Sequence, residues 1–306
     1  MNGAAQSALA PGGAEAAAIL SLFWPVTALL GAIWLAVLLV LALGLWRRPG
    51  AAPRRAGLAV GAATAGTVLV VIGLTLASYL VTRPLSAAAE APLVVQVQGR
   101  QWWWQVTYPA EGDAPGFTTA NELRLPLGRP VRLELAAADV IHSFWVPNLA
   151  GKQDMIPGRD NALLLTPRQA GIFRAQCAEF CGMQHARMAL PVVVQPAAEF
   201  ARWRAGQAAP AAAEALAVAG RQVFESRQCS ACHTVRGSEA AGSTGPDLTH
   251  LASRETLGAG LLPMTRGALA AWTADPQTLK PGNNMPLVPL TADELQALTE
   301  FLALLR

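Results

Sequence analysis

The chain has 306 residues, of which 53% are hydrophobic and only 14% are charged, and its formal net charge is +3. Soluble globular proteins carry roughly 25% charged residues and disordered chains are poor in apolar residues, so the composition excludes disorder and indicates long apolar segments. The length favours more than one domain. Residues 1–86 carry five arginines and one acidic residue, so the positive charge belongs to one region and does not indicate nucleic-acid binding.

Two apolar segments predict a transmembrane hairpin. Residues 16–46 and 58–81 contain no charged side chain, and each exceeds the roughly 20 residues that a helix needs to cross a bilayer. A buried core helix is the alternative, but such helices seldom stay apolar on every face over this length.

The loop between the two segments predicts their orientation. It carries four arginines: Arg47, Arg48, Arg54 and Arg55. Short arginine-rich loops stay on the cytoplasmic side. The sequence therefore predicts a multi-pass membrane protein, in contact with lipid, with an N-terminal segment and hairpin in residues 1–86 and with residues 87–306 on the extracytoplasmic side.

Residues 87–196 show short β-type segments separated by Gly, Pro, Asn or Asp. Strands are predicted at residues 92–98, 102–108, 122–126, 131–135, 140–146, 162–166, 171–176 and 189–195. Short strands with turn residues between them are typical of a sandwich or barrel.

The same region contains a set of soft metal ligands: His142, Cys177, Cys181, His185 and Met188. Thiolate, imidazole and thioether groups suit copper. A disulfide is an alternative, since exported domains lie in an oxidising compartment, but it leaves the histidines and the methionine unexplained. Zinc could use the cysteines and histidines, but it has no role for the methionine. Copper is therefore the preferred prediction.

The segments HSFWVPNLAGKQDMIPGR and QCAEFCGMQHARM, together with the hairpin and the aromatic run QWWWQVTYP, resemble the CuA-binding cupredoxin domain of cytochrome c oxidase subunit II. The similarity covers roughly residues 15–196. It implies a binuclear copper centre in which Cys177 and Cys181 bridge two copper ions. His142 and His185 would each supply an imidazole to one copper.

The resemblance implies three further roles. Met188 and the backbone carbonyl of Glu179 would be weak axial copper ligands. The Glu179 carboxylate would also bind a magnesium ion at the interface with the catalytic subunit. Trp102 would be exposed near the copper, as the residue through which electrons enter the centre.

The remaining residues predict a linker and a heme-binding domain. Residues 197–215 are rich in Ala, Pro and Gln and are predicted as a linker, and residues 216–306 form the last domain. The sequence CSACH is the C-x-x-C-H signal for covalent attachment of a c-type heme. Cys229 and Cys232 would form the thioethers, and His233 would ligate the iron.

Methionine is the expected second axial ligand. Met285, in NNMP, is preferred, and Met264 is the alternative. His/Met ligation favours an electron carrier of raised potential. His250 has no assigned role and is expected at the surface or beside the heme propionates. A final helix is predicted to begin with a Thr291 cap and with Glu294 in capping-box spacing.

Residues 216–306 as a whole resemble a class I cytochrome c domain. The predicted fold is therefore a multidomain membrane protein with a two-helix transmembrane hairpin, an all-β cupredoxin-like barrel and a small all-α class I cytochrome c domain.

The resemblance implies the electron-input subunit of a respiratory heme–copper oxidase. Electrons would pass from an external donor, such as a cytochrome c or a quinol–cytochrome c reductase, through heme c and CuA to heme in subunit I. Oxygen reduction, coupled to proton translocation, would take place in that partner, and this chain would hold no catalytic residue. A related nitric oxide reductase is the alternative, and a membrane-tethered copper chaperone or sensor is an alternative of a different class.

Overall fold

The computed structural model describes residues 6–46, 53–85, 91 and 93–306, with the side chains of residues 53–55 excepted. Helix α1 spans Ala14–Trp46 and helix α2 spans Pro53–Thr82. Both are long and apolar enough to cross a membrane, and their apolar stretches are not buried by the rest of the chain. Arg47 and Arg48 lie outside the described residues, as do the side chains of Arg54 and Arg55, so the orientation of the hairpin stays a prediction.

Ten strands follow in the described residues 93–195. They are β1 (Leu93–Arg100), β2 (Trp103–Tyr108), β3 (Phe117–Ala120), β4 (Leu123–Pro126), β5 (Val131–Ala137), β6 (His142–Trp145), β7 (Gln153–Met155), β8 (Asn161–Leu165), β9 (Gly171–Cys177) and β10 (Ala189–Gln195). One sheet has the order β3-β2-β1-β5-β8 and the other has the order β4-β10-β9-β6-β7. The short strands β3 and β7 were not predicted from the sequence.

The core of this domain forms because alternate residues of each strand point to the same face of a sheet. In β1, Leu93, Val95 and Val97 are buried while the residues between them are more exposed. Trp104 and Phe144 pack edge to face, with their ring centroids 5.5 Å apart. This cupredoxin-like layout confirms the predicted all-β fold.

The start of α1 is fastened to the β domain. The Glu15 carboxylate accepts hydrogen bonds from the backbone N and the Oγ1 of Thr166, each 2.8 Å long. Gly13 pairs with Pro167 in an isolated β-bridge. These contacts fix the β domain relative to the first apolar helix.

The segment predicted as a linker is packed against both neighbouring domains. It contains α3 (Ala197–Ala208) and α4 (Ala213–Leu216). Phe200 is buried in the β-domain core and Trp203 packs against that core, whereas Ala215 belongs to the core of the next domain. The Ala- and Pro-rich composition did not indicate this packing, because only a few side chains of α3 carry it.

The last domain is mainly helical. It contains α5 (Gly220–Ser226), β11 (Thr256–Leu257), β12 (Leu262–Pro263), α6 (Arg266–Ala274), α7 (Pro276–Leu279) and α8 (Ala292–Leu304). Helices α5 and α8 approach so closely at Gly220 that an added Cβ would lie 2.0 Å from the carbonyl oxygen of Ala297. The predicted capping box is confirmed, since Thr291 and Glu294 hydrogen-bond each other's backbone N–H groups.

Candidate metal and heme sites

Side chains from two neighbouring strands and one loop meet at one end of the second sheet. His142 begins β6, Cys177 ends β9, and Cys181, His185 and Met188 follow β9. The sulfur atoms of Cys177 and Cys181 are 3.7 Å apart, and both cysteines are buried and free. The structure therefore does not contain the alternative disulfide.

Each cysteine sulfur is paired with one histidine. The Nδ1 atom of His142 lies 3.8 Å from Sγ of Cys177, and the Nδ1 atom of His185 lies 3.7 Å from Sγ of Cys181. The other ring nitrogen of His142 lies 2.8 Å from the Asp139 carboxylate. That bond orients the imidazole so that Nδ1 faces the sulfur.

The two weaker predicted ligands complete the cluster. The Met188 sulfur lies 3.9 Å from Sγ of Cys181, and the carbonyl oxygen of Glu179 lies 3.2 Å from Sγ of Cys177. His142, Cys177 and Cys181 already place three potential ligand atoms within 4.8 Å of one another. This buried set of thiol, imidazole and thioether groups fits copper.

The electrostatics of the cluster favour binding of a cation. The hydrogen bond from Cys181 lowers the pKa of Cys177, and the resulting thiolate raises the pKa of Cys181. Although burial opposes protonation of His142, its bonds with Cys177 and Asp139 raise its pKa overall. A metal ion between the sulfurs would promote loss of the second thiol proton.

A cavity of about 470 Å³ lies between the helical domain and the β domain. This volume is within the roughly 300–1,000 Å³ range of cofactor pockets. Cys232, His233 and Met285 line it, and Leu269 and Trp272 add apolar surface. Met264 instead packs at the edge of the helical core, so the structure brings Met285, and not Met264, to the cavity that contains His233.

His233 is held in a metal-binding form. Its Nδ1 donates to the carbonyl oxygen of Pro246 over 2.7 Å, which leaves Nε2 as the available ligand atom. Burial lowers the pKa of His233, so the imidazole is neutral. A Cβ at Gly245 would lie 2.7 Å from Cε1 of this ring, so a larger residue there would displace it.

Arg254 is a cavity residue that sequence reasoning missed. It is buried and lines the cavity, and its Nη2 donates to the backbone oxygen of Asp247. Its Nε has no hydrogen-bond partner among the described residues. Because a buried unused donor is costly, this guanidinium fits a cavity that receives a cofactor with an anionic group. The sequence offered no local signal for it.

His250 does not lie at the surface, so that expectation was wrong. It is buried, and its ring nitrogens lie 2.8 Å from the carbonyl oxygen of Arg306 and 2.9 Å from that of Ala209. The ring N–H can donate to one of these carbonyl oxygens, and His250 does not line the cavity.

Trp102 joins the cavity to the copper-type cluster. It lines the cavity, and its indole N–H donates to the carbonyl oxygen of Cys181 over 2.9 Å. The expectation that Trp102 is exposed was wrong, since only 9% of it is accessible. The physical reason is that the helical domain covers this edge of the β domain, with Lys280 bound to the Trp102 carbonyl.

Two family models match the chain in the regions that contain these sites. Residues 110–197 match the periplasmic domain of cytochrome c oxidase subunit II, and residues 217–306 match cytochrome c. These matches imply copper in the β domain and heme in the helical domain.

Curated relatives are similar to the chain over about 70% of its length. Cytochrome c oxidase subunit 2 of Alkalihalophilus pseudofirmus is 40% identical over 69% of this chain and 61% of that protein. The same subunit of Bacillus subtilis is 35% identical over 70% of this chain and 62% of that protein. The chain thus spans 61–62% of the length of these relatives.

The periplasmic domain of subunit II of cytochrome oxidase from Bradyrhizobium japonicum has a TM-score of 0.36 and is 32% identical, covering 39% of this chain and 95% of that one. The chain carries a domain of the cytochrome c oxidase subunit II family, followed by a cytochrome c domain.

Proposed function

We propose that this chain is the electron-input subunit of a respiratory heme–copper oxidase that reduces oxygen to water in a partner subunit. The observation that carries the proposal is the contact of Trp102 with both the heme-type cavity and the Cys181 carbonyl. Copper and heme supply one-electron redox chemistry when they are bound. Residues of this protein would hold both centres next to Trp102.

The copper cluster is proposed to be the binuclear CuA centre. The copper would be held by two thiolates, two imidazoles, a thioether and a backbone carbonyl: Cys177, Cys181, His142, His185, Met188 and the oxygen of Glu179. The cysteines and Met188 are at most 5% exposed. Such a closed, rigid site suits electron transfer, because its ligands move little when the charge changes.

The cavity is proposed to hold one covalent heme c. Cys229 and Cys232 would form thioether links to the heme, and His233 and Met285 would hold its iron. Arg254 would donate to an anionic substituent of the heme through its unused Nε. Apolar neighbours such as Leu269 and Trp272 exclude water from the cavity.

Trp102 is proposed as the residue through which electrons reach the copper centre. Because the helical domain covers it, an external donor such as a cytochrome c or a quinol–cytochrome c reductase would deliver electrons to the heme domain. Tethering makes the next transfer intramolecular, so its rate does not depend on the affinity between separate proteins.

The partner subunit is proposed to bind at the uncovered edge of the copper cluster. Phe180 is 75% exposed and Ile141 is 44% exposed, although they are the sequence neighbours of copper-cluster residues. The Phe180 ring lies 5.8 Å from the His185 ring. We place subunit I, with its heme, at this edge, because these exposed apolar side chains lie beside the copper cluster. A magnesium role for the Glu179 carboxylate at this interface stays a prediction.

The two apolar helices are proposed to anchor the chain in a bacterial inner membrane, with residues 87–306 on the periplasmic side. A copper chaperone or sensor is disfavoured by the burial of His142, Cys177 and Cys181, because a site that delivers metal needs access to its recipient. A nitric oxide reductase would use the same electron-input geometry, so the terminal acceptor must be tested directly.

The proposal is tested by purifying this chain in detergent, alone and with the subunits that accompany it. For the chain alone we expect about two copper ions per covalent heme, as a thiolate-bridged pair requires. The complex of this chain with its accompanying subunits should consume oxygen when a reduced electron donor is supplied. One chelator-labile copper without heme would support the chaperone, and nitric oxide consumption without oxygen consumption would support the reductase.

A further inference from the structure

Lys280 is a buried lysine between the cytochrome c domain and the cupredoxin-like domain. It is 2% exposed. Its Nζ donates to the carbonyl oxygens of Trp102, Arg187 and Gly258, each over 2.8 Å. Trp102 and Arg187 belong to the cupredoxin-like domain, whereas Gly258 belongs to the cytochrome c domain. One amine therefore joins the two domains.

The chemistry of this contact makes it sensitive to the relative position of the domains. An ammonium group has three donors and no acceptor, which matches three carbonyl oxygens. Burial lowers the pKa of Lys280 to about 7, because the charged amine loses its hydration. A buried amine is costly unless its donors are used. All three donors are used only while the domains stay in this arrangement.

Other hydrogen bonds join the residues around Lys280 to the cupredoxin-like domain. We name residues 279–285 the docking segment. We name residues 178–188, which follow β9, the copper-binding loop. The side chains of Arg187 and Gln184 in this loop donate to the backbone oxygens of Leu279 and Pro281, respectively. The side chain of Asn284 donates to the backbone oxygen of Gln101. Met285 is the last residue of this segment, so the segment that contacts the copper loop also supplies the proposed heme ligand.

We propose that Lys280 is a positioning residue that fixes the docking segment, and with it the Met285 side of the heme cavity, against Trp102 and the copper-binding loop. This inference rests on the proposed function, because the position matters for electron transfer between the two centres. Lys280 also lines the cavity, but the three described bonds of its amine go to backbone oxygens, so it acts by holding the backbone on both sides of the boundary.

The test compares Lys280→Met with Lys152→Met in the full chain loaded with copper and heme. Methionine keeps most of the volume of the lysine stem and removes the amine. Lys152 is the only other lysine, and it is exposed. Three quantities are measured: amide hydrogen exchange of the docking segment, the rate of heme-to-copper electron transfer after flash reduction of the heme, and the melting temperature of the cytochrome c domain.

For Lys280→Met we expect faster exchange in residues 279–285 and electron transfer slowed about tenfold, which corresponds to about 1.4 kcal/mol. The melting temperature should fall only slightly, because the three carbonyl oxygens that lose the amine lie at the domain boundary, where water can hydrate them once the contact loosens. Lys152→Met should match the wild type in all three quantities.

Unchanged exchange and an unchanged transfer rate in Lys280→Met would overturn the inference. So would a slower rate that accompanies only a lower melting temperature, since that pattern indicates a general structural role. The proposed function has its own readout in the same experiment. If the wild type itself shows no heme-to-copper transfer, the proposed function fails, whereas a normal wild-type rate with no effect of Lys280→Met refutes the positioning role alone.

Discussion

The indole N–H of Trp102 lies 2.9 Å from the carbonyl oxygen of Cys181, and the same tryptophan lines the cavity that contains His233 and Met285. One side chain thus connects the two candidate redox centres. Its neighbour Trp103 also lines the cavity, whereas Trp104 is fully buried in the cupredoxin-like core.

Replacing Trp102 should slow electron transfer between the centres. Trp102→Leu removes the indole and its hydrogen bond to the Cys181 carbonyl. We expect the rate of heme-to-copper electron transfer to fall on the order of tenfold or more, because small changes in position can slow a reaction strongly. Trp103→Leu is the matched control, since Trp103 shares the cavity but no described bond joins its side chain to Cys181. Flash reduction of the heme measures both rates. Equal rates in the two variants would contradict the role of Trp102.

The two metal assignments should be separable by substitution. Cys177→Ser should abolish the mixed-valence copper resonance while the heme spectrum stays intact, because Cys177 belongs to the copper cluster and does not line the cavity. Cys232→Ala should weaken covalent heme attachment and leave the copper resonance unchanged. Electron paramagnetic resonance measures the copper signal, and heme staining of a denaturing gel measures covalent heme. A normal copper signal in Cys177→Ser would show that the cluster is not CuA.

The choice of axial methionine can be tested in the same way. Met285→Leu should remove the low-spin His/Met absorption features and lower the heme potential, since thioether ligation raises it. Met264→Leu should leave both unchanged, because Met264 packs at the edge of the helical core and does not line the cavity. Optical spectra and a redox titration report the result. Loss of the low-spin features in Met264→Leu instead would reverse the assignment.

The contact of α3 with the cupredoxin-like domain should weaken in acid. Burial alone would raise the pKa of Glu111, but its bonds to Arg129 and Arg204 lower it below the ordinary value of 4.5. The unfolded carboxyl therefore takes up its proton at a higher pH than the folded one. The stabilisation from the ionised Glu111 carboxylate is therefore fully present above about pH 4.5. It is lost as the pH falls through the lower pKa of the folded state.

Glu111→Gln should remove that acid sensitivity and lower stability at neutral pH by less than about 1 kcal/mol, because the carboxylate is partly exposed. Thermal unfolding of the full chain between about pH 3 and pH 7 measures how the stability depends on pH. Glu134→Gln is the control, since Glu134 forms a longer and more exposed pair with Arg132. The same pH profile for wild type and Glu111→Gln would refute the prediction.

The copper cluster could be predicted because its chemistry is local. Cys177, Cys181, His185 and Met188 lie within twelve residues, and few other roles require this set of side chains. The alternation in β1 and the capping box at Thr291 are also local signals, and the structure confirms both.

The contacts between domains could not be predicted, because no local pattern encodes them. Lys280 reaches Trp102 across 178 positions of sequence. The burial of Trp102 follows from the docked cytochrome c domain, and Arg254 is a cavity residue only because the chain folds back beside His233. The packing of the predicted linker depends on a few α3 side chains such as Phe200 and Arg204, within an otherwise Ala-rich segment.

We propose that electrons reach the copper centre through the heme domain of the same chain. Flash reduction of the heme in the purified, fully loaded chain tests this, with heme and copper absorbance followed together at several protein concentrations. We expect the heme to be reoxidised as copper is reduced, at one rate that does not change with concentration. A heme that stays reduced, or copper reduction whose rate rises with protein concentration, would contradict it.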